Sequence, residues 1–207
     1  MIPIRWRGRA GDLFARFVVA TLFVLLSINL TSDFLHTHRV TGLLLLVSEA
    51  LVAVLTVVRR RTGTVDRSPG VTVVTLVSLM GAPLLRTVAG PGLFPDALTA
   101  LVSAIGLVVV IAGKLTLGRS FGIVPANRGV VIAGPYTFVR HPIYAGYLIS
   151  HVAFACAYPT AWNIAVLVVT DAAMVLRALC EERVLAADQT YQIYCRRVAW
   201  HLVPGLF

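Results

Sequence analysis

Charged side chains are scarce in this chain: 13% of 207 residues, with nine acidic residues against 18 basic ones. Apolar residues make up 58%. A soluble domain of this length could not hide that much apolar surface, so a small polytopic membrane protein is the economical reading. Cysteine is sparse as well. Cys156, Cys180 and Cys195 are scattered, with no CxxC pair and no histidine at metal-ligand spacing, so no metal site is expected and the thiols read as reduced and incidental. Internal repeats and low-complexity segments are missing. A cleavage site is missing too: "MIPIRWRGRAGDLFARFVVATLFVLLSINL" is basic and then apolar, but its apolar run is too long for a signal peptide, so it is expected to stay as the first membrane helix. The net charge of +9 would suggest nucleic acid in a soluble protein. Here the bases flank apolar runs, and anionic lipid headgroups explain them better.

What is present is a series of apolar runs, predicting membrane spans near 13–32, 41–58, 70–89, 96–117, 142–158 and 161–180. The expected fold is therefore all-α, a polytopic membrane helical bundle of about six spans with a C-terminal amphipathic helix on the cytoplasmic side. Residues 1–207 read as one membrane domain, with N-terminal spans in 1–95 and a site-bearing core in 96–207. Six spans with a cytoplasmic N-terminus put every basic residue except Arg39 and Arg86 on the cytoplasmic side, so both termini are expected there. Length and charge suggest a prokaryotic plasma membrane. The last two spans then form a hairpin turned by "AYPTAW", with both polar ends on one face. Small residues along it (Ala145, Gly146, Ser150, Ala153 and Ala157 against Ala165, Ala172 and Ala173) predict close approach of its two helices.

Two of the nine acids, Glu181 and Glu182, are adjacent where the sixth span ends. Carboxylates there oppose the helix macrodipole, which argues for a ligand-binding role over plain stabilisation, although Arg177 is an i,i+4 ion-pair partner. Across the hairpin stands "RHPIYAGY". Pro142 suits a first helical turn, and His141, Tyr144, Leu148 and His151 fall on one face. Gly146 leaves room for something to approach the backbone. Alone, Arg140 would be a positive-inside anchor, and Tyr144 and Tyr147 an interfacial belt. The tail adds Tyr191, Tyr194, Arg196, Arg197 and His201, as a surface helix or a lid. Asp171 is an ionisable residue within a span, with His151 as a possible mate across the hairpin; Glu49 has none.

In order and spacing, "LGRSFG", "GPYTFVRHPIYAGYL" and "EERVL" followed by "YQIYCRRVAWHLVP" resemble the isoprenylcysteine carboxyl methyltransferase family and its phospholipid methyltransferase relatives, over about residues 114–204. The resemblance implies an integral membrane methyltransferase that uses S-adenosylmethionine, enclosed by the last hairpin and the tail. It assigns Arg140, His141, Tyr144, Gly146, Glu181 and Glu182 to the cofactor pocket, with Tyr191, Tyr194 and Arg197 closing over it. The chain has Ala187-Asp188 where the family often has Phe-Gly, and Arg119-Ser120-Phe121 where a Trp is frequent. A carboxylate acceptor would need only an orienting cation, Arg196 or Arg197; an amine or hydroxyl would need a base, Glu181 or His141. The expected partners are membrane lipids and a hydrophobic methyl acceptor, not nucleic acid. Two other readings compete: an NADPH-dependent membrane reductase of the sterol-reductase type, holding phosphates on Arg119, Arg128 and Arg140, and a non-catalytic lipid-binding membrane protein.

Overall fold

In the computed structural model, residues 65–207 except 67 and 89 are described, together with scattered positions between 17 and 54. The expected spans 13–32 and 41–58 otherwise lie outside the described residues. Five α-helices follow: α1 (Pro69–Leu84), α2 (Asp96–Leu117), α3 (Pro142–Ala157), α4 (Ala161–Leu185) and α5 (Gln189–Arg197). The fold is all-α among the described residues, where the one extended pairing is an isolated bridge between Val65 and Ala126.

Local chemistry sets the helix ends. Ser68 accepts from the Val71 N–H ahead of Pro69, and Thr160 accepts from the Asn163 N–H. The helix α2 stops at Gly118, whose φ of +48° suits glycine. The expected 96–117 span and the 142–158 and 161–180 pair coincide with α2, α3 and α4 to within a few residues, whereas α1 ends just after Pro83 rather than at 89. Asp96–Ser120 and Ala161–Leu185 are each long and apolar enough to cross a membrane. The other two, α1 and α3, are apolar helices of 16 residues. Large apolar side chains stand exposed around the outside, among them Leu76, Met80, Leu101, Val108, Val152, Val168 and Leu176. Outward apolar residues on four neighbouring helices make a lipid-facing girdle.

The helices run up and down between two polar ends. At one end, the fully buried Asn163 accepts from the Arg86 N–H (2.9 Å) and donates to the carbonyls of Arg86 (2.8 Å) and Tyr158 (3.0 Å). Trp162 donates to the Leu84 carbonyl, the Arg86 guanidinium covers the Trp162 ring, and Leu93 N–H reaches the Cys156 carbonyl. The other end gathers the start of α3, the end of α4, and α5.

Packing pairs α2 with α3 and α1 with α4, while α3 and α4 touch only lightly. This corrects the expected close hairpin. The small residues work elsewhere: a Cβ on Gly146 would lie 2.7 Å from the Gly106 carbonyl oxygen of α2, one on Gly113 would lie 2.7 Å from Ile143, and Gly81 of α1 faces Thr170 of α4. Gly146 therefore admits a neighbouring helix and not a ligand. In lipid, where the hydrophobic effect does not press helices together, such close backbone contact is what holds them. The two tight pairs leave a gap between α3 and α4, and the gap is the cavity.

Overpacking tests this arrangement. Gly146→Val should destabilise by about 1–3 kcal/mol, read as a fall of roughly 2–4 °C per kcal/mol in the thermal midpoint in detergent. Gly70→Ala, where a Cβ meets nothing within 4 Å, should leave it unchanged.

Candidate active site

A cavity opens between the helix pairs, lined from α1 by Ser78 and Leu79, from α3 by Tyr144, Tyr147 and His151, and from α4 by Thr170, Met174, Arg177 and Glu181. Phe121 and Arg128 from the 118–141 segment, with Tyr136, close one wall, and Tyr191 and Tyr194 of α5 cover the mouth. Eleven residues of α4 separate Thr170 from Glu181, about 16 Å of helix at 1.5 Å per residue. That is deeper than a nucleoside is long.

At the mouth, the two adjacent glutamates face different ways. Glu182 is not among the cavity-lining residues; its carboxylate accepts from Arg140 Nη1 (3.2 Å), His141 Nε2 (2.9 Å) and His201 Nδ1 (2.6 Å). A carboxylate can only accept, which fixes the ring protons of His141 at Nε2 and His201 at Nδ1. Arg140 is spent in the same knot. Its Nε donates to the Val198 carbonyl (2.9 Å) and its Nη2 to that of Cys195 (3.3 Å), satisfying carbonyls at the end of α5. Backbone N–H groups of Arg140 and His141 donate to the carbonyls of Trp200 and His201. Arg140, His141, Glu182 and His201 thus form the clasp that fastens the tail.

Glu181 faces the cavity. Its Oε1 accepts from the Tyr144 hydroxyl at 2.5 Å and lies 3.3 Å from Arg177 Nε, an ion pair whose angle makes no hydrogen bond. Its Oε2 has only His141 Nδ1, at 3.9 Å. Arg177 is buried, spans Ser78 and the Gly122 carbonyl, and sits 5.4 Å above the Tyr144 ring. The i,i+4 pairing of Arg177 with Glu181 is the bland alternative of the sequence reading, and it holds.

The helix α5 is fixed by chemistry the sequence only hinted at. Asp188 caps α5 on the Thr190 N–H (2.8 Å) and accepts from Asn127 (3.0 Å). The Asn127 bond, with the backbone N–H of Thr190, holds its carboxyl below its ordinary value. Tyr194 donates to the carbonyls of Tyr136 (2.7 Å) and Val139 (3.3 Å). Burial pushes the phenols of Tyr136, Tyr191 and Tyr194 well up, so all three stay neutral. The Tyr191 hydroxyl is buried at the cavity and has no hydrogen-bond partner among the described residues.

Other expected site residues stand apart. Arg196 and Arg197 are exposed and line no part of the cavity, because Tyr191 and Tyr194 take the inward face of α5 and leave the next two positions outside. Neither is placed to orient an acceptor. Phe121, Tyr136 and Arg177 are lining residues that motif reasoning did not assign, and Arg128 is one it named only for the reductase reading. Arg177 had a visible signal, a cation one helical turn before Glu181 in an apolar span.

An aromatic cavity with one carboxylate, Glu181, and three guanidinium groups, Arg128, Arg140 and Arg177, set among apolar helices, is a candidate small-molecule site. The model of the isoprenylcysteine carboxyl methyltransferase (ICMT) family matches residues 97–187. Over that stretch, α2 to the end of α4, the chain is similar to this family of membrane methyltransferases. No curated protein matches the chain. The match stops short of α5, so the tail's part in the site rests on the clasp.

Removing the clasp should release the tail. Glu182→Ala loses three charge-assisted bonds and should destabilise by about 3 kcal/mol or more, with proteolysis between 186 and 200 appearing before global unfolding. Glu181→Ala, which frees one phenol and one guanidinium inside the cavity, should leave the tail protected.

Proposed function

We propose that the chain is an S-adenosylmethionine-dependent membrane methyltransferase acting on a lipid-borne or small hydrophobic acceptor. The family-model match over residues 97–187 supports the reaction class. The observation that carries the cofactor is Glu181: a carboxylate in an aromatic cavity whose Oε1 is taken by Tyr144 and Arg177 while Oε2 is left toward the cavity. It suits the hydroxyls or the ammonium of the cofactor. The Tyr191 hydroxyl, unsatisfied and buried, offers a second polar contact. Arg177 is the cation near the cofactor carboxylate, and the rings of Tyr136, Tyr144, Tyr147 and Tyr191 suit an adenine face or a sulfonium. When bound, the cofactor supplies an electrophilic methyl group on sulfur.

The protein's own contribution is positioning and dryness. The α2/α3 and α1/α4 pairs hold the two walls rigid, and α5 covers the mouth under the Glu182 clasp, excluding water from a displacement that needs alignment. The distribution of basic residues in the sequence favours a mouth at the cytoplasmic surface. Of the three phosphate ligands the reductase reading needs, only Arg128 is left to the cavity, since Arg119 is exposed off it and Arg140 is committed to Glu182 and tail carbonyls.

Calorimetry on detergent-solubilised protein decides between the readings. S-adenosylmethionine should bind and NADPH should not, and Glu181→Gln should weaken the former by roughly ten-fold or more, the loss of one bond to a charged group. Unchanged affinity in that variant would sink the assignment. Labelled methyl transfer into lipid extracts then separates an enzyme from a lipid-binding protein.

A further inference from the structure

Beyond the mouth, a second polar cluster lies deep in the same cavity. His151 is the tenth residue of α3, about 14 Å of helix from Pro142. It is buried, and it lines the cavity with Tyr147 and Thr170. Its Nδ1 lies 2.5 Å from Asp171 Oδ1, the pairing expected across the hairpin. Asp171 does not line the cavity. With Nδ1 turned toward Asp171, the ring edge left for the cavity is the one carrying Nε2, and that nitrogen has no partner among the described residues. The Tyr147 ring packs against the imidazole at 5.9 Å, and its hydroxyl accepts from the fully buried Lys114 (2.8 Å).

A carboxylate accepts on one side of the ring and so fixes the proton at Nδ1; Nε2 then carries a lone pair into a dry cavity. That is the arrangement of a general base with its orienting acid. The two bases named from sequence are both occupied: His141 serves Glu182, and Glu181 holds Tyr144 and Arg177. Cations for a carboxylate acceptor are likewise engaged, Lys114 with Tyr147, Arg177 with Glu181, Arg140 with Glu182 and Arg128 with the Val124 carbonyl, while Asp171 would repel one.

Resting on the methyltransferase reading above, the geometry points to His151 as the catalytic base, with Asp171 as its positioning residue, for an apolar acceptor that carries a hydroxyl or phenol rather than a carboxylate. The acceptor oxygen forms its bond to the donor methyl carbon. The carbon–sulfur bond breaks with its electron pair remaining on sulfur, and the acceptor's proton passes to His151 Nε2. The resulting imidazolium is stabilised by Asp171.

A chromogenic probe, 4-dodecyl-2-nitrophenol, reads the proton step without any methyl donor, since its phenolate absorbs at longer wavelength. Bound to the wild-type protein, it should ionise on the order of one pH unit or more lower than when bound to His151→Gln. Asp171→Asn should move the same midpoint in the same direction by less. Turnover with a hydroxyl acceptor should fall roughly 10²–10⁴-fold in His151→Gln. S-adenosylmethionine affinity within two-fold of wild type certifies that each variant is folded. Absence of cofactor binding by the wild type would overturn the methyltransferase reading itself. Cofactor binding with an unchanged dye midpoint in both variants would overturn the base alone.

Discussion

Three donors from two parts of the chain converge on the carboxylate of Glu182: Arg140 and His141 from the start of α3, and His201 from the tail. A carboxylate at a helix C-terminus faces the negative end of the macrodipole, so its place there requires compensation, and these donors provide it. The same bonds do more than neutralise. Arg140 also satisfies two carbonyls at the end of α5, and the backbone of residues 140 and 141 pairs with that of 200 and 201. Without this knot, α5 would keep the Tyr194 bonds, the Asp188 cap with its Asn127 contact and its packing on Tyr136, but residues 198–201 would lose their tie to the start of α3.

The opposite constraint acts along the membrane part of the bundle. There, helices gain little from burying apolar surface, because lipid is as apolar as leucine. Gly81, Gly106, Gly113 and Gly146 let two pairs of helices come close, and the buried polar groups bond across them. Asn163 serves at one end and Arg177 near the other. Close pairing of α2 with α3 and α1 with α4 makes the looser α3–α4 contact possible, and an interior lined by His151, Arg177 and Glu181 is the only place lipid leaves for such groups.

The helices and the meeting of "RHPIYAGY" with "EERVL" were legible in the sequence, because hydrophobic run length and Pro142 are local signals. Partner choice was not. Gly146 advertises close approach without saying whose, and a period-3.6 face cannot tell α2 from a ligand. Adjacent glutamates point about 100° apart on a helix, so one faced inward and the other could not. Which was which depends on where the tail returns, a nonlocal fact. Arg196 and Arg197 misled for a similar reason: on a nine-residue helix with tyrosines inward, they had to be outside. The His151–Asp171 pair was visible because two ionisable residues in apolar spans have few places to go.

The cavity's two ends differ in what builds them. The mouth, with Tyr136, Tyr144, Glu181 and Tyr191, comes from α3, α4 and the segments flanking them. The inner end takes a wall from α1 through Ser78, Leu79 and Ala82, which lie outside the family-matched residues 97–187. On the proposed reading, methyl transfer between a charged, water-borne donor and an apolar acceptor needs two such ends, one polar and reached from the surface, the other dry. Placing Tyr144 and His151 seven residues apart on one face of α3 sets those ends about 10 Å apart on a single rigid element. The donor end can then stay fixed while substitutions in α1 reshape the acceptor end, since no residue of α1 enters the Glu182 clasp. On that argument the choice of acceptor belongs to α1, and the chemistry belongs to α3 and α4.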